Sequence, residues 1–174
     1  MKEIKKLVTG MVMFAALCSL MYACDVDDGS HTEPISLYEK VGGHWNLTRM
    51  KQVDELATAA GTGTTEMDIT GFFENFSITL NVDENKKPTT FKTSGAPALI
   101  PESGYWQLDK AFQNWDGTPV TLQFFSDAEC TKQIGAIAVS SVPGSAATME
   151  LRLTRKTNGI PFVSYTYTLI PVNN

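Results

Sequence analysis

The chain has 174 residues, and its 13 Gly and 8 Pro are no more than folded proteins ordinarily contain. This length and composition predict one globular domain and exclude collagen-like, low-complexity and strongly disordered proteins. The formal charge is -5, from 14 Lys plus Arg against 19 Asp plus Glu, and the sequence has no long basic run. Nucleic acid is therefore not an expected partner.

The first 23 residues are predicted to be an export signal. Three lysines within the first six residues precede residues 7–23, which contain no charged side chain. A short basic start followed by a 17-residue apolar stretch is typical of a secretory signal peptide and is short for a membrane-spanning helix. Residues 20–24, LMYAC, resemble a bacterial lipobox, which implies cleavage before Cys24 and lipidation of Cys24. We expect an outer-membrane lipoprotein of the cell envelope, and a secreted protein with Cys24 as a free thiol is the alternative.

Residues 24–40 are predicted to be a flexible tether between the lipid and a domain at residues 41–174. The tether is rich in Gly, Ser, Thr and Pro and has no sustained apolar period. Three aspartates closely follow Cys24, and this run resembles the signal that sends lipoproteins of the Bacteroidota to the cell surface; a solvated acidic spacer is the alternative. Removing residues 1–23 takes away three Lys and one Glu, so the mature chain has 11 basic and 18 acidic residues and a charge of -7.

Cys130 is the cysteine left for the mature domain. Cys18 is lost with the signal peptide and Cys24 carries the lipid, so no disulfide is expected within the chain. The neighbouring carboxylates of Asp127 and Glu129 are expected to raise the pKa of the Cys130 thiol. A nucleophilic role for this thiol is therefore not expected.

The alternation of apolar and polar residues predicts eight short strands beyond residue 40. The clearest strand covers residues 76–82, where four apolar side chains alternate with polar ones. Turn-forming pairs such as Asp116-Gly117 and Asn158-Gly159 separate the strands. The other seven strands are predicted around Trp45 and Leu47; Thr89 to Thr93; Trp106 and Leu108; Val120, Leu122 and Phe124; Ile134, Ala136 and Ala138; Met149, Leu151 and Leu153; and Phe162 to Ile170.

These strands predict an all-β fold. The helical pattern is confined to residues 53–60 and a turn near residues 70–75, so neither a helix bundle nor a βαβ sheet is expected. Short connections favour antiparallel pairing of strands that follow one another in the chain. A small eight-stranded up-and-down barrel is the best solution, because closure removes both sheet edges. A two-sheet β-sandwich is the runner-up.

Several short motifs carry a resemblance to a known group of proteins. Gly43-His44-Trp45 is similar to the Gly-x-Trp signature of lipocalins, in which the Trp closes the base of the barrel. Together with the lipobox, the Asp68-Ile69-Thr70 segment and the GYWQL strand at 104–108, it resembles lipocalin-like lipoproteins of unknown function from the Bacteroidota. The resemblance implies that Gly43 and Trp45 are structural residues at the barrel base.

The up-and-down order assigns each connection to one end of the barrel. The open end should carry residues 52–75, 94–103, 126–132 and 156–161. The first of these is long enough to act as a lid and contains Phe72 and Phe73. Trp106 and Arg155 should point inward near the same end, where an aromatic ring beside a guanidinium suits a sugar face or an anionic head group. The alternative is that the aromatic residues simply form part of the core.

No motif for enzyme chemistry is present in the sequence. It has no Gly-x-Ser-x-Gly elbow, no phosphate-binding Gly-Lys-Ser/Thr loop and no Cys-x-x-Cys pair, so no catalytic residue, metal or cofactor is expected. We expect an extracytoplasmic binding module for a small hydrophobic or carbohydrate ligand, and a void of about 300 Å³ or more near the open end would favour this function. The alternative is an interaction lipoprotein with a packed barrel that docks on another envelope component or inhibits an enzyme.

Overall fold

The fold comes from a computed structural model, which describes residues 34–63, 65–97, 99–112, 117–144 and 147–172. The predicted signal peptide, the predicted lipidation site at Cys24 and most of the proposed tether lie outside these residues. The described elements belong to the unit that begins at Ile35.

Nine strands and two short helices make up the described chain. The helices are α1 (Leu37–Val41) and α2 (Glu55–Ala60), and a 3₁₀ turn covers Thr70–Phe72. The strands are β1 (Gly43–Asp54), β2 (Glu66–Asp68), β3 (Ser77–Val82), β4 (Pro88–Ser94), β5 (Ser103–Leu108), β6 (Val120–Phe125), β7 (Gln133–Ser141), β8 (Met149–Thr157) and β9 (Ile160–Pro171).

Eight of these strands form a closed antiparallel barrel. The order is β1-β3-β4-β5-β6-β7-β8-β9, and β9 pairs back onto β1. The closing ladder runs from Trp45 opposite Pro171 to Asp54 opposite Val163. This closure confirms the predicted up-and-down barrel and excludes the β-sandwich. Strand β2 was not predicted; it pairs with β1 at residues 51–53, beyond the part of β1 that pairs with β3.

The interior of the barrel is filled by large side chains. Each barrel strand contributes residues that are almost fully buried, as expected for a small barrel whose lumen is a packed core. The largest of them are Trp106, Tyr167, Phe76, Phe91, Phe124, Met50, Ile78, Leu80, Leu122, Met149, Leu151 and Leu169.

The folded domain begins earlier than predicted, because residues 37–40 form part of helix α1. Leu37 and Val41 are four residues apart, lie on one face of the helix and are both buried in the core. The Leu37 amide donates to the carbonyl of Ala111, 2.9 Å away. The predicted domain boundary at residue 41 was therefore wrong. The apolar pattern of this single helical turn is too short to be recognised in the sequence.

Strand β7 exists as predicted, but its inward face was assigned wrongly. The buried residues are Ile137 and Val139, whereas Ile134 and Ala136 are exposed. The register of the β6–β7 pairing shifts between Phe124 and Phe125, and such a shift is the signature of a β-bulge. One inserted residue moves every following side chain to the opposite face of the strand. Alanine is only weakly apolar, so Ala136 and Ala138 did not reveal in the sequence which face is buried.

Candidate functional site

The connections predicted for the open end of the barrel lie together at one end, which we call the rim. They join β1 to β3, β4 to β5, β6 to β7, and β8 to β9. The opposite end, which we call the base, carries helix α1 and the turn at residues 83–87. The prediction of which connections share an end is confirmed, because every barrel pair is antiparallel and consecutive.

Trp106 does not lie at the rim, contrary to the prediction. Strand β5 leaves the rim at Ser103, and Trp106 is buried three residues further towards the base, with 1% of its surface exposed. Its indole N–H donates to the carbonyl of Asn81 at 2.8 Å, and the ring of Tyr38 stands edge-on 6.0 Å away. Trp106 is a core residue, and its indole donor is already used within the protein.

Arg155 lies at the rim but faces solvent rather than the barrel interior. It pairs in register with Val163, next to the β8–β9 hairpin, and is exposed. Its guanidinium carbon lies 5.5 Å from the centroid of the Phe162 ring, a cation–π contact. The structure therefore does not bring Trp106 and Arg155 together, and the predicted aromatic–guanidinium pair is not formed.

Gly43 and Trp45 lie at the base, where β1 begins. Trp45 has 4% of its surface exposed, and its indole N–H donates to the carbonyl of Val41 at 2.8 Å. Since Val41 is the last residue of α1, this bond fixes the helix to the start of the barrel. Trp45 and Arg155 thus lie at opposite ends, as the strand order predicts.

A small apolar pocket opens at the rim, and we call it the mouth pocket. Its volume is about 90 Å³, well below the 300 Å³ expected for a ligand-binding barrel. Phe73 lines this pocket, so part of the predicted lid does cover the mouth, whereas the neighbouring Phe72 is 83% exposed and does not. The lining residues are Met50, Phe73, Pro97, Leu99, Tyr165 and Tyr167.

Tyr167 lines this pocket and carries an unusual polar group. The residue is fully buried, and its Oη has no hydrogen-bond partner among the residues that the structure describes. Burial, with a smaller contribution from Tyr165, raises the pKa of Tyr167, so the phenol is a neutral donor at physiological pH. Its ring packs against Phe76 with 5.4 Å between centroids. A buried hydroxyl without a partner is costly, which makes Tyr167 the strongest indication of a ligand in the described chain.

The segment that carries Phe73 is fastened to β1 by Asp68 and Thr70. The Thr70 hydroxyl donates to Asp68 Oδ1 at 2.6 Å and accepts from the Met50 amide at 2.9 Å. Arg49 Nε pairs with Asp68 Oδ2 at 3.0 Å. The Asp68-Ile69-Thr70 segment noted in the sequence therefore fixes the start of the lid beside Met50, a residue of the mouth pocket.

The Asp68 carboxyl is expected to remain ionised in the folded protein well below its ordinary pH range. Hydrogen bonds from the Thr70 hydroxyl and amide, with help from Arg49, lower its pKa from 3.8 to about 2. Its contribution to stability is therefore complete above about pH 3.8 and is lost as the pH falls through about 2. A ¹³C NMR titration of the side-chain carboxyl should give this midpoint.

Thr70→Val provides the matched control for this titration. The substitution should return the pKa of Asp68 towards its ordinary value, while Asp127, whose pKa is lowered by Thr131, should keep its own titration. A wild-type midpoint near 3.8 for Asp68 would contradict the described hydrogen bonding.

Two larger grooves lie on the outer wall of the barrel and are open to solvent. The first, about 580 Å³, opens where the β7–β8 ladder ends at Ala138 opposite Arg152. The second, about 410 Å³, is lined by charged and hydroxyl side chains that include Arg49, Lys51 and Thr166. The cations of the second groove already pair with carboxylates, as Lys51 does with Glu66 at 2.6 Å.

The perturbed titratable groups of the described residues have structural causes. Burial, followed by the charges of Asp127 and Glu129, raises the pKa of the Cys130 thiol, in the predicted direction. The Ser164 hydroxyl, followed by Arg152, lowers the pKa of Glu55. In the part of the chain that the structure describes, no group of three metal-ligating side chains is found, and no helix has the length and hydrophobicity to span a membrane.

A family model gives the relation of this chain to other proteins. It is described as a domain of unknown function, DUF5004, and matches residues 22–170, which are 149 of the 174 residues. The chain belongs to the DUF5004 family. Comparisons with curated proteins and with solved structures give no significant match. The family match includes the barrel of this DUF5004 domain almost to the end of β9.

Sequence reasoning missed most of the mouth pocket of this DUF5004 domain. Pro97 and Leu99 lie in a connection that was predicted for the rim, but nothing in their pattern marked them. Tyr165 and Tyr167 alternate with threonines in the last strand, and this period places them on the same inward face as Leu169. That alternation was the available signal for the two tyrosines, and Met50 had none.

Proposed function

We propose that this DUF5004 domain is a lipid-anchored, extracytoplasmic binding module that binds at its rim without catalysis. The mouth pocket is the observation that carries the proposal. It combines an apolar lining, a lid residue in Phe73 and a buried hydroxyl in Tyr167 that lacks a partner. At about 90 Å³ the pocket is smaller than sites that hold whole drug-sized ligands, so it suits one small group of a ligand, and the Tyr165 and Tyr167 phenols are the polar groups of its lining residues.

The packed interior limits what such a module can hold. Trp106 and Phe124 are almost fully buried and occupy the lumen below the mouth, so a long apolar molecule cannot enter the barrel. The small hydrophobic or carbohydrate ligand predicted from the sequence is therefore narrowed to a molecule that inserts one small group into the pocket and leaves the rest at the rim.

The lipid anchor is part of the proposal and is supported by the sequence at residues 1–24. The chain enters the barrel at the base, through α1 and the start of β1. The chain that leads from Cys24 therefore joins the barrel at its base, and the rim is the opposite end of the barrel. A binding site at the rim agrees with such an arrangement.

A second candidate function, docking on another envelope component, is favoured by the packed lumen and by the distribution of exposed apolar side chains. Among the described residues, nine large hydrophobic side chains are exposed, and six of them belong to rim elements. Exposed apolar groups collected at one end are typical of interaction surfaces. The six are Leu56, Met67, Phe72, Leu99, Ile134 and Ile160.

Mapping of small probes by NMR tests whether the rim is the binding end. We expect 1-butanol to shift amide signals of the rim, such as those of Gly95, Ala96 and residues 158–160, in the ¹⁵N-labelled full-length chain. The turn at residues 83–87, at the base, provides the internal control. Shifts confined to the base or to the outer grooves would contradict the proposal.

Two further measurements test the anchor and the docking alternative. Incorporation of an alkyne-labelled fatty acid should be lost in Cys24→Ser and retained in Cys18→Ser, because Cys18 lies within the predicted signal peptide.

A photo-crosslinking residue placed at Phe72 should capture one envelope component if docking is the function. The same residue at Phe112, which is exposed on the β5–β6 connection at the base, should not.

A further inference from the structure

We infer that the mouth pocket binds a short acyl group, with its methyl or ethyl end among the apolar side chains and its carbonyl oxygen accepting a hydrogen bond from Tyr167 Oη. This inference rests on the proposed function, because it names the chemistry of the ligand that the rim receives. The argument depends on the size of the pocket, its polarity and the position of Tyr167.

The size of the pocket restricts the group to a few atoms. An engineered cavity of about 150 Å³ accommodates benzene or xenon. The mouth pocket, at about 90 Å³, therefore takes a group smaller than benzene, of roughly three to five non-hydrogen atoms. An acetyl or propionyl group has this size, whereas a sugar ring or a fatty acyl chain does not.

The polarity of the pocket requires one acceptor on that group. Phe73, Leu99 and Met50 offer apolar surface, and the Tyr167 phenol is a neutral donor without a partner. A purely apolar group would leave that donor unsatisfied, while a charged group would lose its hydration in an apolar lining. A carbonyl oxygen attached to a methyl or ethyl group satisfies both parts of the lining.

Entry of the acyl group requires a small movement at the rim. Neighbouring side chains cover Tyr167 Oη, so a ligand oxygen reaches it only when these side chains shift. Phe73 and Leu99 are the side chains suited to this, because neither is fully buried and both belong to connections rather than strands. Met50 and Tyr167 are fixed opposite each other in the closing β1–β9 ladder.

The test uses N-acetylglucosamine and N-acetylglycine as probes, with glucosamine and glycine as controls that lack the acyl group. Methionine methyl signals of the full-length chain report binding, since Met50 lines the pocket and Met67 is exposed at the rim. We expect both acetylated probes to shift the Met50 methyl, and neither control to do so. Binding of one acetylated probe alone would identify its source, a sugar or an amino acid derivative, as the ligand.

Three variants separate the acyl site from a general effect on folding. Tyr167→Phe should weaken the binding of acetylated probes roughly three- to tenfold, the effect of one lost neutral hydrogen bond. Phe73→Ala should also weaken it, whereas Phe72→Ala, in the adjacent exposed residue, should not.

Three outcomes would overturn the inference. They are no shift of Met50 with either acetylated probe, equal shifts with the controls, and unchanged affinity in Tyr167→Phe. A pocket that holds only an ordered water on Tyr167 would give the first of these. If 1-butanol still shifts the rim in that case, the proposed function stands and only the acyl chemistry fails.

Discussion

Gly104→Ala is expected to destabilise the barrel by at least about 3 kcal/mol, a large part of the roughly 5–15 kcal/mol by which native domains are stable. Gly104 has a φ of +151°, which side chains rarely adopt, and it pairs with Phe91 in the middle of the sheet. A β-carbon built at this position would lie 2.2 Å from the carbonyl oxygen of Phe125 and 3.1 Å from the Phe91 ring. Because the first contact is with backbone, no side-chain rotation relieves it.

The effect should be measured by urea unfolding of the full-length chain, followed by circular dichroism. Gly144→Ala is the matched control, because Gly144 has an ordinary φ and no atom of the described residues lies within 4 Å of the added methyl group. The free energy of unfolding of Gly144→Ala should lie within about 0.5 kcal/mol of the wild-type value. Equal stability of the two variants would show that the β4–β5–β6 region is not packed as described.

The second large effect is expected for Trp106→Ala, which should lower the free energy of unfolding by roughly 3–5 kcal/mol. The substitution removes the most voluminous fully buried side chain of the described core and leaves a cavity beneath Tyr38. It also leaves the Asn81 carbonyl without the indole donor that now lies 2.8 Å away. This result would establish Trp106 as a core residue, in contrast to the rim site predicted from the sequence.

Two other aromatic variants sharpen the interpretation of Trp106→Ala. Phe72→Ala removes an exposed ring and should change stability by no more than about 0.5 kcal/mol. Trp106→Phe keeps a ring but loses the indole N–H, so it should fall between Trp106→Ala and wild type. If Trp106→Ala unfolds like wild type but loses binding of rim probes, the assignment of Trp106 to the core is wrong.

Together, the fold and the proposed site divide the barrel into a scaffold and a binding end. Helix α1, Trp45 and Trp106 stabilise the base. The indole N–H groups of both tryptophans donate hydrogen bonds to backbone carbonyls. The rim has exposed apolar side chains and, in Tyr167, a donor without a partner. Buried polar groups whose hydrogen bonds are formed within the protein make that region rigid. A buried donor without a hydrogen-bond partner instead favours the binding of a ligand that supplies an acceptor.

The sequence predicted the strands well where the alternation was strong, as in residues 76–82 and 149–153. It failed for β7, because a bulge changes the parity and Ala136 and Ala138 differ little from polar residues in the pattern. It also missed β2, whose three residues are all exposed and carry no periodic signal. A strand stabilised by pairing rather than by burial leaves little trace in hydrophobicity.

The candidate site was predicted only in part. The order of the strands placed the connection that contains Phe73 at the rim, and Phe73 lines the mouth pocket. The same order could not tell how deep Trp106 lies along the barrel axis, because depth depends on the register between β4 and β5. Nor does any pattern reveal that one tyrosine hydroxyl in β9 is left without a partner, since that property depends on all its neighbours.

The sequence alone determined the all-β class, the closure of eight strands and the end of the barrel at which each connection lies. These properties follow from local periodicity and short connections, which act over a few residues. Only the tertiary structure decided that the lumen is packed and that Trp106 and Arg155 lie apart. It also decided that the Tyr167 hydroxyl has no hydrogen-bond partner among the described residues. Volumes and hydrogen-bond partners depend on side chains distant in sequence, so they are settled only when the strands pack together.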